Sequence, residues 1–69
     1  MANNIEYAMW GLPKGSTERY DEVLLLSGAS DYRRVEKVKE LATRDGFHSF
    51  RIAAIDLDAP PDFARTVTI

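Results

Sequence analysis

The sequence predicts a small α+β domain with the element order β-β-α-β, in which one amphipathic helix packs on one face of a three-stranded mixed sheet. Two observations lead to this prediction. Apolar residues recur at helical spacing over residues 31–45, and strand-like segments lie before and after that region. Because β-α-β crossovers are right-handed and connections are short, the second and third strands should run parallel with the first strand between them, in the spatial order 2-1-3.

The first strand is predicted over residues 5–10, where side chains alternate between the two faces of the sheet. One face holds Ile5, Tyr7 and Met9, and the other holds Glu6, Ala8 and Trp10. The strand should end at the segment G-L-P-K-G-S at 11–16, because glycine and proline are typical of turns.

Residues 16–28 are compatible with two structures. The apolar run V-L-L-L at 23–26 can form a buried strand, or it can end a helix that is capped by Ser16 and stopped by Gly28. Periodicity does not separate these alternatives. The shortness of the run and the S-G-A-S sequence after it favour a strand at about 22–27, which would follow a long connection.

The helix is predicted over residues 31–45. Its apolar stripe consists of Tyr32, Val35, Val38, Leu41 and Ala42. Ser30 or Asp31 can cap the N-terminus, since either side chain can accept a hydrogen bond from a free amide of the first turn. Gly46 stands where a left-handed residue would end the helix, because glycine has no Cβ to clash in that conformation.

The third strand is predicted over residues 47–56, where side chains again alternate. Residues 57–69 contain two adjacent prolines, which cannot join the middle of a sheet. The whole chain, 1–69, is expected to form a single domain in which residues 1–4 and part of 57–69 are flexible. The sequence leaves open whether residues 57–69 cover the sheet face opposite the helix.

Composition argues against several classes of protein. The 69 residues include no cysteine, which leaves no disulfide framework and no thiolate zinc site. No apolar run reaches the ~18–20 residues that a membrane span needs, and the N-terminus has no signal-peptide pattern. A net charge of −2 gives no electrostatic reason for nucleic-acid binding. We therefore expect a cytoplasmic protein that has no membrane partner.

Three segments carry a resemblance to other proteins. W-G-L-P-K-G at 10–15, D-E-V-L-L-L at 21–26 and D-G-F-H-S-F-R at 45–51 resemble the pattern of a group of small uncharacterised bacterial and bacteriophage proteins. The resemblance covers residues 7–52, and the group has no established activity. It implies a small soluble domain in a bacterial or phage-host cytoplasm, and it transfers no catalytic residue.

Residues 11–17, G-L-P-K-G-S-T, superficially resemble a phosphate-binding loop. That loop needs four residues between its glycines and a lysine after the second glycine. Here three residues intervene and Lys14 precedes the second glycine. The failed spacing predicts an ordinary turn and no cofactor.

His48 is the only histidine, and it is followed by Ser49. Adjacent residues of a strand point to opposite faces, so this pair should be poorly placed to share a proton. The aspartates of the neighbouring segments have no metal-ligand spacing with His48. We therefore expect no catalytic residue, no cofactor-binding residue and no metal site, and a protein that is not an enzyme.

One helix leaves the second face of the sheet uncovered. The residues predicted to form an interface there are Trp10, Val23, Leu25 and Ile55. A large exposed apolar patch usually marks an interaction site. The sequence therefore predicts a non-enzymatic interaction module that self-associates as a homo-oligomer or docks on a protein partner through this face.

The alternative is a weak nucleic-acid-binding domain. Its contacts would come from Arg33, Arg34, Lys37 and Arg51. Aromatic side chains of the sheet could then stack on bases. However, Glu36 and Glu40 interrupt the basic side of the helix, so the charge pattern favours a solvated, salt-bridged surface.

Overall fold

The computed structural model describes residues 4–58 and 66–68. Its elements are the strand β1 (Ile5–Leu12), a 3₁₀ turn (Arg19–Asp21), the strand β2 (Val23–Ala29), the helix α1 (Tyr32–Arg44), the strand β3 (His48–Asp56) and the strand β4 (Thr66–Thr68). The predicted flexibility of residues 1–4 and of part of 57–69 falls largely on residues outside the described ranges.

The four strands form one sheet in the order β2-β1-β3-β4. This confirms the predicted α+β fold and the predicted order 2-1-3 of the first three strands. Because β1 is antiparallel to both β2 and β3, these two strands run parallel to each other although every hydrogen-bonded pair is antiparallel. β4 extends the sheet by pairing with the outer edge of β3.

The pairing of β1 with β3 is the most regular part of the sheet. It runs without interruption from Ile5, which lies opposite Asp56, to Trp10, which lies opposite Arg51. Met9 faces α1 and packs against it, so its neighbours Ala8 and Trp10 face the other side. The alternation predicted for this strand is confirmed.

β2 is a strand, as favoured for residues 22–27, and the 3₁₀ turn precedes it. Its pairing with β1 is irregular, because Trp10 lies opposite Leu24 whereas Met9 lies opposite Leu26. Leu25 is therefore an extra residue at a β-bulge. As a consequence, Leu25 and Leu26 both pack against the core beneath α1.

Both ends of α1 follow from the residue types predicted for them. Asp31 is the N-cap, and its side chain accepts a hydrogen bond of 3.0 Å from the backbone N–H of Arg33. At the other end Gly46 has a φ of +98°. The backbone N–H of Phe47 donates to the carbonyl of Ala42 at 3.0 Å, which completes the hydrogen-bonding pattern of a Schellman stop.

The hydrophobic core lies between α1 and the sheet. Its centre is formed by Met9, Val35 and Ile52, and the half-buried residues around it are Tyr7, Leu25, Leu26, Val38 and Phe50. Burying one such aliphatic side chain contributes about 1.5–3 kcal/mol. The molecule measures 39 × 24 × 14 Å along its principal axes. Over residues 4–58 and 66–68 one α-helix packs on one sheet, which is consistent with the short third dimension.

Gly46 and Gly15 offer a matched test of the helix stop, because both have positive φ, +98° and +88°. A Cβ at Gly46 would lie 3.1 Å from the Cβ of Lys14, whereas a Cβ at Gly15 would meet nothing within 4 Å. We expect Gly15→Ala to lower the free energy of unfolding by about 1 kcal/mol through backbone strain alone, and Gly46→Ala to lower it by about 2 kcal/mol. Urea denaturation measures both values, and a larger loss at Gly15 would contradict the role given to Gly46.

Candidate interaction surface

The sheet face opposite α1 is the surface on which the predicted function depends, and we call it the far face. Directly paired residues of neighbouring strands point to the same side, so the register assigns its members. They form three rows across the sheet: Leu24, Trp10 and Arg51; then Ala8 and Ala53; then Glu6 and Ile55. Successive rows are about 7 Å apart, two residues along each strand.

The three rows differ in their exposure to solvent. Ala8 and Ala53 are 4% and 1% exposed, so the centre of the far face is shielded although no described helix or strand lies over it. Trp10 and Ile55 are half-buried, and Leu24 is 52% exposed. The two outer rows therefore present most of the accessible surface.

Trp10 and Arg51 form a stacked pair within the first row. The guanidinium carbon of Arg51 lies 3.9 Å from the centroid of the Trp10 ring, well inside the ~6 Å limit for a cation–π interaction. The contact follows from the register, since the two residues are cross-strand partners. It places the guanidinium over the indole ring.

Glu22 holds the other side of the Arg51 guanidinium. Its carboxylate accepts hydrogen bonds from Nη2 at 2.8 Å and from Nε at 3.2 Å of Arg51. It also accepts a bond of 2.8 Å from Nη1 of Arg19, which in turn donates to the backbone carbonyl of Ser49 at 3.0 Å. We call the group of Trp10, Arg19, Glu22 and Arg51 the Glu22 cluster.

The two arginines change the acidity of Glu22. The hydrogen bonds from Arg51, and to a smaller extent the one from Arg19, hold the pKa of Glu22 below its ordinary value of 4.5, although burial opposes this shift. The same contact with Glu22 raises the pKa of Arg51. Both shifts favour the ionised forms of Glu22 and Arg51 at neutral pH. With two guanidinium groups and one carboxylate, the cluster has a formal charge of +1 on a chain whose net charge is −2.

The structure places the four predicted interface residues on both sides of the sheet. Trp10 and Ile55 lie on the far face. Leu25 packs against the core beneath α1. Val23 lies opposite Gly11, in the pair next to Trp10 and Leu24, so it points to the side of the sheet that carries α1. The β-bulge explains the difference, because it moves Leu25 off the face that the run at 23–26 would otherwise give it.

Sequence reasoning missed three residues of this surface, namely Leu24, Glu22 and Arg19. Leu24 takes the position beside Trp10, and the two charged residues hold Arg51. The only signal in the sequence was the opposite charge of Arg19 and Glu22 three residues apart, which does not indicate the distant partner Arg51.

The cations of the nucleic-acid alternative are not brought together. Arg33, Arg34 and Lys37 are exposed on α1, whereas Arg51 lies on the far face behind the sheet. Two of the four are already paired: Arg33 with the carboxylate of Asp31 at 3.0 Å, and Arg51 with Glu22. These four residues therefore do not form one phosphate-binding surface.

His48 and Ser49 are closer than regular strand alternation predicts. Nδ1 of His48 lies 2.9 Å from Oγ of Ser49, so the expectation that the two side chains are poorly placed to share a proton is wrong in its geometry. Ser49 has a φ of +54°, and the register of β1 with β3 shifts beside it, between Trp10 and Leu12. The bulge breaks the alternation on which the expectation depended.

This pair does not by itself make a catalytic set. A serine nucleophile needs a histidine that a third group orients, together with a cleft that receives the substrate. Over residues 4–58 and 66–68 no side chain bonds the second ring nitrogen of His48 and no pocket is found. That the protein is not an enzyme stays a prediction.

The remaining sequence motif folds as an ordinary turn. The backbone N–H of Ser16 donates to the carbonyl of Pro13 at 3.0 Å, and Gly15 takes the left-handed conformation. Among the described residues no three acidic or histidine side chains lie close enough to hold a metal ion. No helix in the same part of the chain has the length and apolarity needed to cross a bilayer.

A comparison of the chain with protein-family models, curated proteins and solved structures gives no match. The resemblance to small bacterial and bacteriophage proteins therefore stays a prediction. The three segments that carry it meet in the Glu22 cluster: Trp10 comes from the first, Glu22 from the second and Arg51 from the third.

Glu22→Gln tests how much the Glu22 cluster stabilises the fold, because it removes the charge that both arginines share. We expect it to lower the free energy of unfolding by about 1–2 kcal/mol at pH 7. Trp10 is the only tryptophan, so its fluorescence should also change as Arg51 is released. Glu18→Gln is the control, since Glu18 is exposed and makes no side-chain cap; equal stability of the two variants would contradict the expected contribution.

The wild type and the Glu22→Gln variant together also test the lowered pKa of Glu22. Because this pKa is lower in the folded state, the stabilisation is complete well above pH 4.5 and is lost as the pH falls through the folded value. The difference in unfolding free energy between wild type and Glu22→Gln should therefore stay constant from pH 7 to about pH 6 and shrink towards pH 2–3. Urea denaturation at each pH measures it, and a difference that grows on acidification would contradict the pairing.

Proposed function

We propose that this protein is a small non-enzymatic protein-interaction module that contacts its partner through the far face. One observation carries the proposal: an exposed leucine, Leu24, lies beside a Trp10–Arg51 stack that Glu22 holds from the other side. The surface is apolar and aromatic, and it includes a cation in a fixed position.

The side-chain types at this site are those that dominate protein interfaces. Tryptophan, tyrosine and arginine are enriched among the residues that contribute most to binding, and apolar neighbours around them exclude water. Besides Trp10 and Arg51, the 3₁₀ turn presents Tyr20, which is 85% exposed. Covering such a side chain removes apolar area from water and favours association by about 25 cal/mol per Å2.

The rigidity of Arg51 supports the same proposal. Fixing a long side chain on binding costs about 0.5–1.5 kcal/mol. In this protein the guanidinium is already held by the ring of Trp10 and by two hydrogen bonds to Glu22. A partner would therefore meet an arginine whose conformation is set before association.

The nucleic-acid alternative has weaker support. A phosphate-binding surface needs several cations on one side of the protein, and here the three helix cations lie on the opposite side of the sheet from Arg51. A protein partner accounts for the apolar exposure of Leu24 and Tyr20, which a phosphate backbone would leave in water.

A photo-crosslinking amino acid placed at Leu24 tests the far face in the cells that naturally contain the protein. Lys37, exposed on the outer side of α1, is the matched control position. We expect irradiation to give a discrete adduct from Leu24 and none from Lys37, because only Leu24 lies on the proposed contact surface. Gel mobility and mass spectrometry identify the adduct.

Adding Glu22→Gln to the chain that carries the crosslinker should reduce the adduct yield, because this change releases Arg51. Adducts from Lys37 alone, or no adduct from either position, would contradict the proposed function. An adduct of twice the chain mass and an adduct with a different protein would both support it.

A further inference from the structure

A second binding site lies, we propose, along the outer edge of β2, where a short extended segment of another polypeptide adds to the sheet as a further strand beside α1. The site is separate from the far face and goes beyond the proposed function. In strand addition the backbone of the ligand pairs with an open sheet edge, and alternate side chains supply the specificity. We call this site the edge groove; Val23, Leu25 and Leu26 of β2 and Arg34 and Leu41 of α1 line it.

The outer edge of β2 is open to another strand. β2 stands at the end of the sheet order, and no described strand pairs with its outer backbone groups. Natural proteins usually protect such an edge with charged side chains or proline, and the segment Val23–Ala29 contains neither. The N–H and C=O groups along an unprotected edge are those that a second extended backbone satisfies. The ligand is therefore a polypeptide strand.

The helix forms the second wall of the groove. The rings of Tyr32 and Tyr7 lie 5.1 Å apart between centroids, which places Tyr32 over β1. Nζ of Lys39 lies 5.5 Å from the ring centre of Phe50, which places Lys39 over β3. At about 100° per residue, Leu41 lies about 180° around the helix from Tyr32 and about 200° from Lys39. Leu41 is therefore on the side of α1 away from β1 and β3, next to β2.

The β-bulge enlarges the apolar area of the groove. It turns both Leu25 and Leu26 beneath α1, and Val23 points to the same side of the sheet. Val23 and Leu41 are 40% and 46% exposed. A strand paired with β2 would cover such side chains, because directly opposite residues lie about 5 Å apart.

The apolar exposure of the protein is concentrated at this edge. Among the described residues, four of the five exposed large apolar side chains lie in β2, in the turn before it or on the neighbouring side of α1: Tyr20, Val23, Leu24 and Leu41. The irregular register of β2 and the φ of +71° at Gly28 prevent a long regular pairing. The ligand segment is therefore short, about four to six residues.

Charges at the two ends of the groove specify the charges of the ligand. Because α1 connects the parallel strands β2 and β3, its first turn lies near the end of β2 and its last turn near the start. Arg34 is exposed on the same side of α1 as Leu41 and forms no ion pair with a described residue. Asp21 is exposed directly before β2. The ligand should therefore alternate apolar residues, with an acidic residue at the Arg34 end and a basic residue at the Asp21 end.

Selection of phage-displayed random peptides of about ten residues on the immobilised full chain supplies the probe. We expect enrichment of alternating apolar sequences that contain an acidic residue. Fluorescence polarisation of the synthetic peptide then gives its dissociation constant, which Leu41→Lys should raise at least tenfold by placing a charge in the groove. Thr43→Lys adds the same charge to the exposed side of α1 towards β3 and should leave the constant unchanged. Circular dichroism verifies that both variants are folded.

Two further measurements test the charge and the backbone pairing. Arg34→Glu should weaken binding of the acidic peptide at least tenfold, and replacing the acidic residue of the peptide by lysine should restore binding to this variant. Only every second amide of an added strand faces β2. N-methylation of one alternating set of peptide amides should therefore abolish binding, whereas methylation of the other set should change it by less than about threefold.

The absence of any enriched peptide would overturn the edge groove, and so would equal effects of Leu41→Lys and Thr43→Lys or of the two N-methylated sets. Peptides that Glu22→Gln weakens and Leu41→Lys does not would support the far face and overturn the edge groove, so the two proposals fail separately. Self-association in sedimentation equilibrium that Leu41→Lys abolishes, without peptide enrichment, would assign the edge to a second copy and overturn the peptide ligand.

Discussion

The contact of Val35 in α1 with Met9 and Ile52 in the sheet is the interaction on which the rest of the structure depends. Met9 and Val35 are fully buried, and they join the one helix to the two most regular strands. Among the described residues α1 is the only α-helix, and a domain of this size buries only ~60% of the surface its unfolded chain exposes. Because α1 packs on one face of the sheet, contacts other than those of a helix stabilise the far face.

The far face combines shielded alanines at its centre with a charged and aromatic cluster at one end. Glu22 and Arg19 belong to the connection between β1 and β2, and they bond Arg51 and the Ser49 carbonyl of β3. The cluster thereby attaches a long connection to the sheet and also orients a cation on Trp10. The same bonds that stabilise the fold therefore prepare a surface that suits a protein partner, and this double role links the stability of the domain to its proposed function.

Local sequence patterns predicted the first three strands, the helix and their order, because capping residues, helical spacing and glycine stops act over a few neighbouring residues; β4 was not predicted. Asp31 and Gly46 are examples, and both have the predicted role. The β-bulges were not predictable, since an extra residue such as Leu25 is defined only by the pairing of two strands. The Glu22 cluster depends on residues 29 positions apart, and a single sequence carries no record of that proximity. The sequence therefore predicted which face of the sheet carries the site, but only Trp10 and Ile55 of the four predicted interface residues lie on that face.

The far face, and not the outer side of α1, is the proposed contact surface. Two-dimensional NMR of the isotope-labelled protein, recorded in buffer and in an extract of the cells that naturally contain the protein, tests this assignment residue by residue. We predict broadening or loss of the signals of Leu24, of Ile55 and of the indole N–H of Trp10 in the extract, with unchanged signals along the exposed side of α1. Changes confined to α1, or identical spectra in buffer and extract, would contradict the assignment.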